Sequence, residues 1–338
     1  MAGHDIIVIG GSAGGLEAMR AITSDLPDDI PAAVFVVIHG PASSPGLLPE
    51  IFNYRSALPA AHARDGEPII PGRIYVAPPD HHLLLEPGRV RISRGPKENR
   101  FRPAVDPLFR SAALAYGPRV VGVILSGWLD DGAAGLWAVK QLGGVAIVQD
   151  PLEAIAPSMP TSAMQQTRVD HRLPAADIAP ALARWAIEPA AVAGPFPVPS
   201  GLEVEARIAM DDKALDQGVT DIAEPSLYAC PECHGVLMRV KGGGGLRYRC
   251  HTGHSYTADS LLAEMTEVIE GTLWAAVRSI QESTILMEHL ASHAREAGRA
   301  DIAARYVRKA AEARERAEAV RLTLMEHEKL SADNLGDT

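Results

Sequence analysis

Four short, continuous apolar runs constrain this chain more than any other feature. They are DIIVIG at 5–10, AAVFVVI at 32–38 ending before His39, VVGVIL at 120–125 ending before Ser126 and Gly127, and GVAIV at 144–148. Such runs are too short for buried helices, and they lack the apolar–polar alternation of a strand with one face in water. They read as strands buried on both faces. With helix-forming stretches between them, such as 16–22, they predict an α/β domain built on a doubly wound, mostly parallel, Rossmann-like sheet. Shorter strand candidates lie at 73–77, 83–85 and 90–93, and the turn Glu86-Pro87-Gly88 makes the last two a hairpin insertion. A closing helix over 174–186 bounds the expected domain at 1–186.

The first run leads straight into Gly10-Gly11-Ser12-Ala13-Gly14-Gly15 and then into a helix. This matches G-x-S-x-G, the sharp strand-to-helix turn that exposes a serine hydroxyl. The helix start beside it offers free backbone N–H groups to an oxyanion. The competing reading is a phosphate-binding glycine turn. It lacks the G-x-G-x-x-G spacing, and the next strand ends in His39, where a dinucleotide site would place an acid on the ribose. Functional groups of an open parallel sheet collect at the carboxyl ends of its strands. His39 ends the second run, and Asp130 and Asp131 follow the third. The order Ser–His–Asp differs from the Ser–Asp/Glu–His order of the α/β-hydrolases.

The blocks GGSAGG, VVIHGP, RIYVAPPDHHLLLEPGRV, RPAVDPLFRSAA, ILSGWLDDGAAG and VQDPLEAIAPSMPTSA occur in this order over about residues 5–186. As a set they resemble the CheB-type protein-glutamate methylesterases. The resemblance implies hydrolysis of glutamate 5-methyl esters on the helical cytoplasmic domain of a methylated chemoreceptor-like protein, with release of methanol, and deamidation of receptor glutamines in many members. It puts the nucleophile at Ser12, the general base at His39 and the acid at Asp131, with Asp130 as the rival, and it points to the backbone N–H groups of Ala13 and Trp128 as the oxyanion hole. No cofactor is implied for catalysis. Gly127-Trp128-Leu129 stands where the family usually has Gly-Met-Gly, and Gly40 where it commonly has Met, so the substrate-facing rim differs. The alternatives are another ester or amide substrate, or a signalling scaffold that keeps a degenerate esterase fold.

His81 and His82 are adjacent in an extended segment and point to opposite faces, which makes them poor co-ligands for a metal. Arg102 and Asp106 are expected as a pair, near the site or simply structural, and Met159 and Pro160 as part of the site's edge.

After a Pro- and Ala-rich stretch, 187–225 reads as a linker that includes a short helix. All three cysteines fall within 230–250, which speaks for a local metal site rather than a disulfide framework. Cys230-x2-Cys233, sixteen residues, then Cys250-x3-His254 supplies thiolate and imidazole ligands suited to a structural, four-coordinate Zn²⁺. His251 is the alternative fourth ligand. Tail modules of some stand-alone members of the family resemble Arg249-Cys250-x-x-Gly253-His254, which favours His254. This zinc-ribbon-like module spans 226–256.

An α-helical hairpin is expected over 257–332. Its first helix is capped by Thr257 or Asp259, the break falls at Gly298–Asp301, and the second helix runs 302–328. Its apolar stripes suit either internal packing or a coiled coil that makes a homodimer or binds a partner. The net charge of −10 and the lack of a basic patch speak against nucleic acid. No run approaches the ~20 apolar residues of a membrane helix, and no signal peptide is evident, so the expectation is a cytoplasmic protein. Because residue 5 already begins the first strand, a stand-alone catalytic domain without a receiver domain is expected, with the zinc and helical modules positioning or regulating it.

Overall fold

A computed structural model describes residues 3–191, 196–210 and 213–325. The first strands are β1 (Ile6–Gly11), β2 (Ala33–Ile38), β3 (Ala60–His62) and β4 (Ile74–Val76), followed by β5 (His82–Glu86) and β6 (Arg89–Ser93), which pair with each other as an antiparallel hairpin. β7 (Val120–Ile124), β8 (Val145–Gln149) and β9 (His171–Leu173) complete a seven-stranded sheet of order β3-β4-β2-β1-β7-β8-β9. Every pairing in it is parallel. The chain winds outward from β1 in both directions, so the crevice for a ligand lies beyond the carboxyl ends of β2, β1 and β7.

Burial explains why these runs are continuously apolar. Every residue of β1, β2, β7 and β8 is buried, because helices cover both faces. Ile7 and Ile9 pack with Met19 and Ile22 of α1 (Gly15–Asp25), with Phe52 of α2 (Leu48–Asn53), and with Ile178 and Leu182 of a later helix. Ile6 and Val8 face the opposite core, with α3 (Val105–Tyr116), α4 (Ala133–Gln141) and α5 (Ser158–Gln166). α6 (Ala175–Ile187) is the expected closing helix.

The stretch 187–225, expected as a linker, contains α7 (Leu202–Met210) and α8 (Val219–Ile222). Leu202 joins the core beneath α3, and the Ser93 hydroxyl donates to the Ala209 carbonyl at 2.8 Å. Local composition conceals this docking, since the partners lie far back in the chain.

β10 (Ala223–Ala229), β11 (Val236–Val240), β12 (Arg247–Cys250) and β13 (Ser255–Thr257) form an antiparallel sheet that carries the three cysteines. It belongs to the same compact unit as the α/β sheet, a unit that ends at Leu261. α9 (Ala258–Glu296) begins there, and with α10 (Ala300–Met325) it makes the second unit, from Leu262 on. Thr257 caps α9: its Oγ1 accepts the Ser260 N–H at 3.1 Å. Within the second unit, Val277, Thr284 and Ala291 are buried at seven-residue intervals, as are Ala303, Ala310, Ala317 and Leu324. That spacing is the seam of a coiled-coil-like hairpin. The expected end of the second helix near residue 328 lies outside the described residues. Among those described, no helix is long and apolar enough to cross a membrane.

Candidate active site

β1 and β2 run in register from Ile6 opposite Ala33 to Gly11 opposite Ile38. Ser12 and His39 are therefore the next residue on each of two neighbouring strands. The His39 N–H donates to the Gly11 carbonyl at 3.0 Å, and the Ser12 N–H to the Ser126 carbonyl at 2.9 Å, which ties in the end of β7. A cavity of about 280 Å³ opens here, with Ser12 and His39 in a wall otherwise supplied by residues such as Leu16, Ile38, Leu48 and Pro103. Two glycines make the turn possible. Gly14 has φ 76°, and a Cβ there would lie 2.6 Å from Ile155 Cβ. At Gly127 a Cβ would sit 2.0 Å from Met159 Sδ and 2.8 Å from Ser12 Cβ.

His39 Nε2 and Asp131 Oδ2 are 2.7 Å apart, and both side chains are almost wholly buried. The His39 ring stacks on Phe101, with centroids 3.8 Å apart and 11° between planes. Its other nitrogen, Nδ1, is buried without a hydrogen-bond partner among the described residues. Asp131 Oδ2 also accepts the Val105 N–H at 2.6 Å, while Oδ1 accepts Asn99 Nδ2 at 2.8 Å and the Asp106 N–H at 3.3 Å. Burial alone would raise the Asp131 pKa; the His39 bond, the Val105 N–H and Asn99 outweigh it and hold the carboxyl below the usual range. Asp106, buried and next to the Asp131 charge, is pushed up to about 7.

Asp130 is brought elsewhere. Its Oδ1 accepts the Thr257 hydroxyl at 2.6 Å, and burial pushes its pKa up to about 8. Of the two candidate acids, Asp131 is thus the one that meets His39. The turn that leads into them carries Leu129 at φ 63°. A side chain in this left-handed region costs about 1–2 kcal/mol, and a glycine at that position would avoid the cost.

The two expected oxyanion donors lie at the same end of the sheet. Neither the Ala13 nor the Trp128 amide hydrogen-bonds to another described residue, whereas the intervening Gly127 N–H is committed to the Ala156 carbonyl at 2.9 Å. Trp128 itself is half exposed.

Residues 7–182, more than half of the chain, match the family profile described as CheB methylesterase. The chain belongs to the CheB methylesterase family. A Xanthomonas euvesicatoria relative, protein-glutamate methylesterase/protein-glutamine glutaminase 1, is 44% identical over 47% of this chain and 45% of its own length. A Leptospira interrogans protein, to which the same activity is provisionally ascribed, is 41% identical over 50% of this chain and 89% of its own. The crystal structure of the Thermotoga maritima CheB methylesterase catalytic domain aligns with a TM-score of 0.52 and 35% identity, covering 54% of this chain and 99% of that one.

Within this CheB-family site, His82 is fully buried, with Nε2 donating to the Pro96 carbonyl at 2.9 Å and Nδ1 accepting the Ala104 N–H at 3.2 Å. Burial lowers its pKa, so it sits as a neutral structural residue. His81 bonds the Pro79 carbonyl at 2.9 Å. The expected Arg102–Asp106 pair does not form. Arg102 reaches Asp80 at 2.7 Å, while Asp106 bonds Asn99 Nδ2 at 3.0 Å and the Gly135 N–H at 2.7 Å. The reason is reach: Asp106 starts a helix that points its carboxyl inward, toward Asp131. Met159 is fully buried, packed against Gly127. Asn99 and Phe101 touch the central pair and were not singled out by sequence. Their one signal is position, in the ENRF segment just before the RPAVDPLF block.

The cysteine module gathers the Cys230, Cys233, Cys250 and His254 ligand atoms within 4.8 Å of one another. Cys233 Sγ is 3.6 Å from Cys250 Sγ, and His254 Nδ1 is 3.7 and 3.6 Å from the sulfurs of Cys230 and Cys250. A tetrahedral zinc with Zn–S bonds of about 2.3 Å separates its sulfurs by roughly 3.7 Å, so the donor set could hold a metal of this size. His254 Nε2 lies 3.5 Å from Glu232, the carboxylate partner that orients a ligating imidazole. His251 instead packs its ring over Gly235, where a Cβ would come within 2.1 Å of it.

Proposed function

We propose that this chain is a serine hydrolase that cleaves glutamate 5-methyl esters on the helical cytoplasmic segments of a methylated chemoreceptor-like protein, releasing methanol, with glutamine deamidation as a companion reaction. The observation that carries this reading is the buried His39–Asp131 pair beside Ser12, at the cavity beyond the strand ends. The names of the CheB relatives supply the substrate class.

The chemistry follows from the donors and acceptors. With Nε2–H donating to the ionised Asp131, His39 keeps its lone pair on Nδ1, and that nitrogen is the general base. Ser12 Oγ attacks the ester carbonyl carbon and its proton passes to His39 Nδ1. The oxyanion takes hydrogen bonds from the Ala13 and Trp128 amides, where losing one donor typically costs about 3 kcal/mol in the barrier. His39 then returns the proton to the departing oxygen as methanol leaves. Water repeats the sequence on the acyl-enzyme, yielding the glutamate carboxylate and free Ser12. Cys230, Cys233, Cys250 and His254 would hold a structural Zn²⁺, whose four protein ligands leave no open position for chemistry. On this reading the enzyme works in the cytoplasm, and its α9–α10 hairpin is available to a partner or a second copy.

Methanol release from methylated receptor, measured for the parent protein and for Ser12→Ala, tests the assignment. Release by the parent alone is expected; equal release by both overturns the mechanism. Failure of a fluorophosphonate to label folded parent protein would instead favour a scaffold.

A further inference from the structure

The loop 97–101 touches the central pair on one side and the cysteine module on the other. Toward the pair, Phe101 stacks on His39, and Asn99 Nδ2 donates to Asp131 Oδ1 at 2.8 Å and to Asp106 Oδ2 at 3.0 Å. Toward the module, the Asn99 N–H donates to the Ser255 carbonyl at 2.8 Å and the Ser255 N–H to the Lys97 carbonyl at 3.2 Å. The Thr257 N–H donates to Asn99 Oδ1 at 3.0 Å. Asn99 and Arg100 both have left-handed backbone, at φ 49° and 77°, in a tight turn that the Glu98 and Phe101 backbone closes with hydrogen bonds of 3.2 and 2.9 Å. β13 braces that turn from the module's side.

An amide side chain turned over by half a rotation keeps its shape, so the atoms at its two ends decide which way it points. A backbone N–H can only donate, and the Thr257 N–H therefore requires the oxygen of Asn99. The amide NH₂ is left facing the two carboxylates, one hydrogen for each. With the amide reversed, NH₂ would meet N–H and oxygen would meet carboxylates. The Thr257 N–H and the Asp131 carboxylate thus demand the same direction of Asn99 from its two ends, so that a hydrogen bond holding Asp131 is braced from behind by β13.

We propose that Asn99 is a positioning residue for Asp131, and that the cysteine module, through the backbone of Thr257 and Ser255, braces Asn99 in that position and so tunes the Ser12–His39–Asp131 array. This rests on the catalytic reading above. A buried ion network joins the same two parts: Glu98 pairs with Arg110 of α3 at 2.6 Å and with Arg249 of β12 at 3.0 Å, and Glu205 of α7 pairs with Arg249 at 3.3 Å. Docking therefore does not hang on the loop alone.

Asn99→Gly deletes the amide while suiting the left-handed backbone, and Thr257→Pro deletes the N–H that orients it. The groups that face Asp131 are His39, Asp106 from α3 and Asp130 from its own turn, with Glu98, Arg110 and His82 also within electrostatic reach. Asn99 is one of the donors that hold the Asp131 carboxyl below its usual range, so losing it lets Asp131 take up a proton at higher pH. Both variants should therefore raise the acid limb of the fluorophosphonate labelling rate of Ser12 by about one pH unit, a tenfold slowing below it. They should also move the proton NMR signal of the His39 Nε2–H. An unchanged limb and an unchanged signal in folded Asn99→Gly overturn the proposal. Thr257→Val loses the hydroxyl and keeps the N–H; a shift as large as that of Thr257→Pro would overturn the assignment to the backbone donor. If the parent is not labelled at all, the esterase reading fails, while the NMR comparison still decides whether Asn99 positions Asp131.

Discussion

Replacing Asp130 with asparagine removes a carboxyl that folding takes out of water and sets near other acids. Burial is the main cause that moves its pKa from 3.8 to about 8; the Thr257 hydroxyl opposes the shift, and Asp259, Asp106 and Asp131 add to it. A carboxyl whose pKa rises on folding binds its proton more tightly in the folded state. Its contribution to stability therefore falls as pH climbs from the unfolded value toward about 8 and is constant above that. Each pH unit crossed costs about 1.4 kcal/mol, so the site costs on the order of 4 kcal/mol at pH 7 relative to a side chain that does not titrate. Asparagine has nearly the same size and still accepts the Thr257 hydroxyl, but it never carries the charge. Asp130→Asn should be more stable than the parent by about 1–2 kcal/mol at pH 5, about 4 at pH 7 and about 5–6 above pH 8. Urea midpoints at those three pH values measure the difference. Fluorophosphonate labelling should persist, because Asp131 and not Asp130 meets His39. A stability difference that does not change with pH would refute the reasoning, as would labelling lost as completely as in Asp131→Asn.

Asp131→Asn removes the charge that fixes the His39 tautomer, and kcat for methanol release should fall about 10⁴-fold in a folded protein; a loss of less than tenfold would take Asp131 out of the mechanism. Gly127→Ala drives a methyl into Met159 Sδ and Ser12 Cβ, so overpacking should cost about 1–3 kcal/mol and slow labelling of Ser12. A parent-like melting temperature and labelling rate would show that the turn has more room than these distances allow. A strong chelator should remove a single zinc ion per chain and lower the melting temperature. Native mass spectrometry should find that metal retained in His251→Ala and lost in His254→Ala, and the reverse pattern would exchange the two ligands.

Much of the fold is legible in the sequence because its information is local. A strand buried on both faces must be apolar at every position, and each run of that kind became a central strand of the sheet. Ser12 and His39 could be found because each follows such a run directly, and parallel pairing then sets them side by side. The four metal-ligand candidates were visible for the same reason, since two short knuckles hold them. Residues 187–225 were harder. A short helix is expected there, and the one over LEVEARIAM is amphipathic, yet the surfaces it packs on belong to α3 and β6, so its docking is not legible locally.

What the sequence by itself determined, then, is the sheet, the strand ends and the residue types gathered at them. Only the tertiary structure decided that Asp131 and not Asp130 meets the histidine, that Nε2 is the ring nitrogen it meets, that Arg102 belongs to Asp80, and that Asn99 bonds both Asp131 and Thr257. Asn99 stands 32 residues from Asp131 and 158 from Thr257. An apolar run declares itself through its neighbours in the chain. The direction of an amide or the tautomer of an imidazole is set by donors and acceptors that only folding brings within 3 Å.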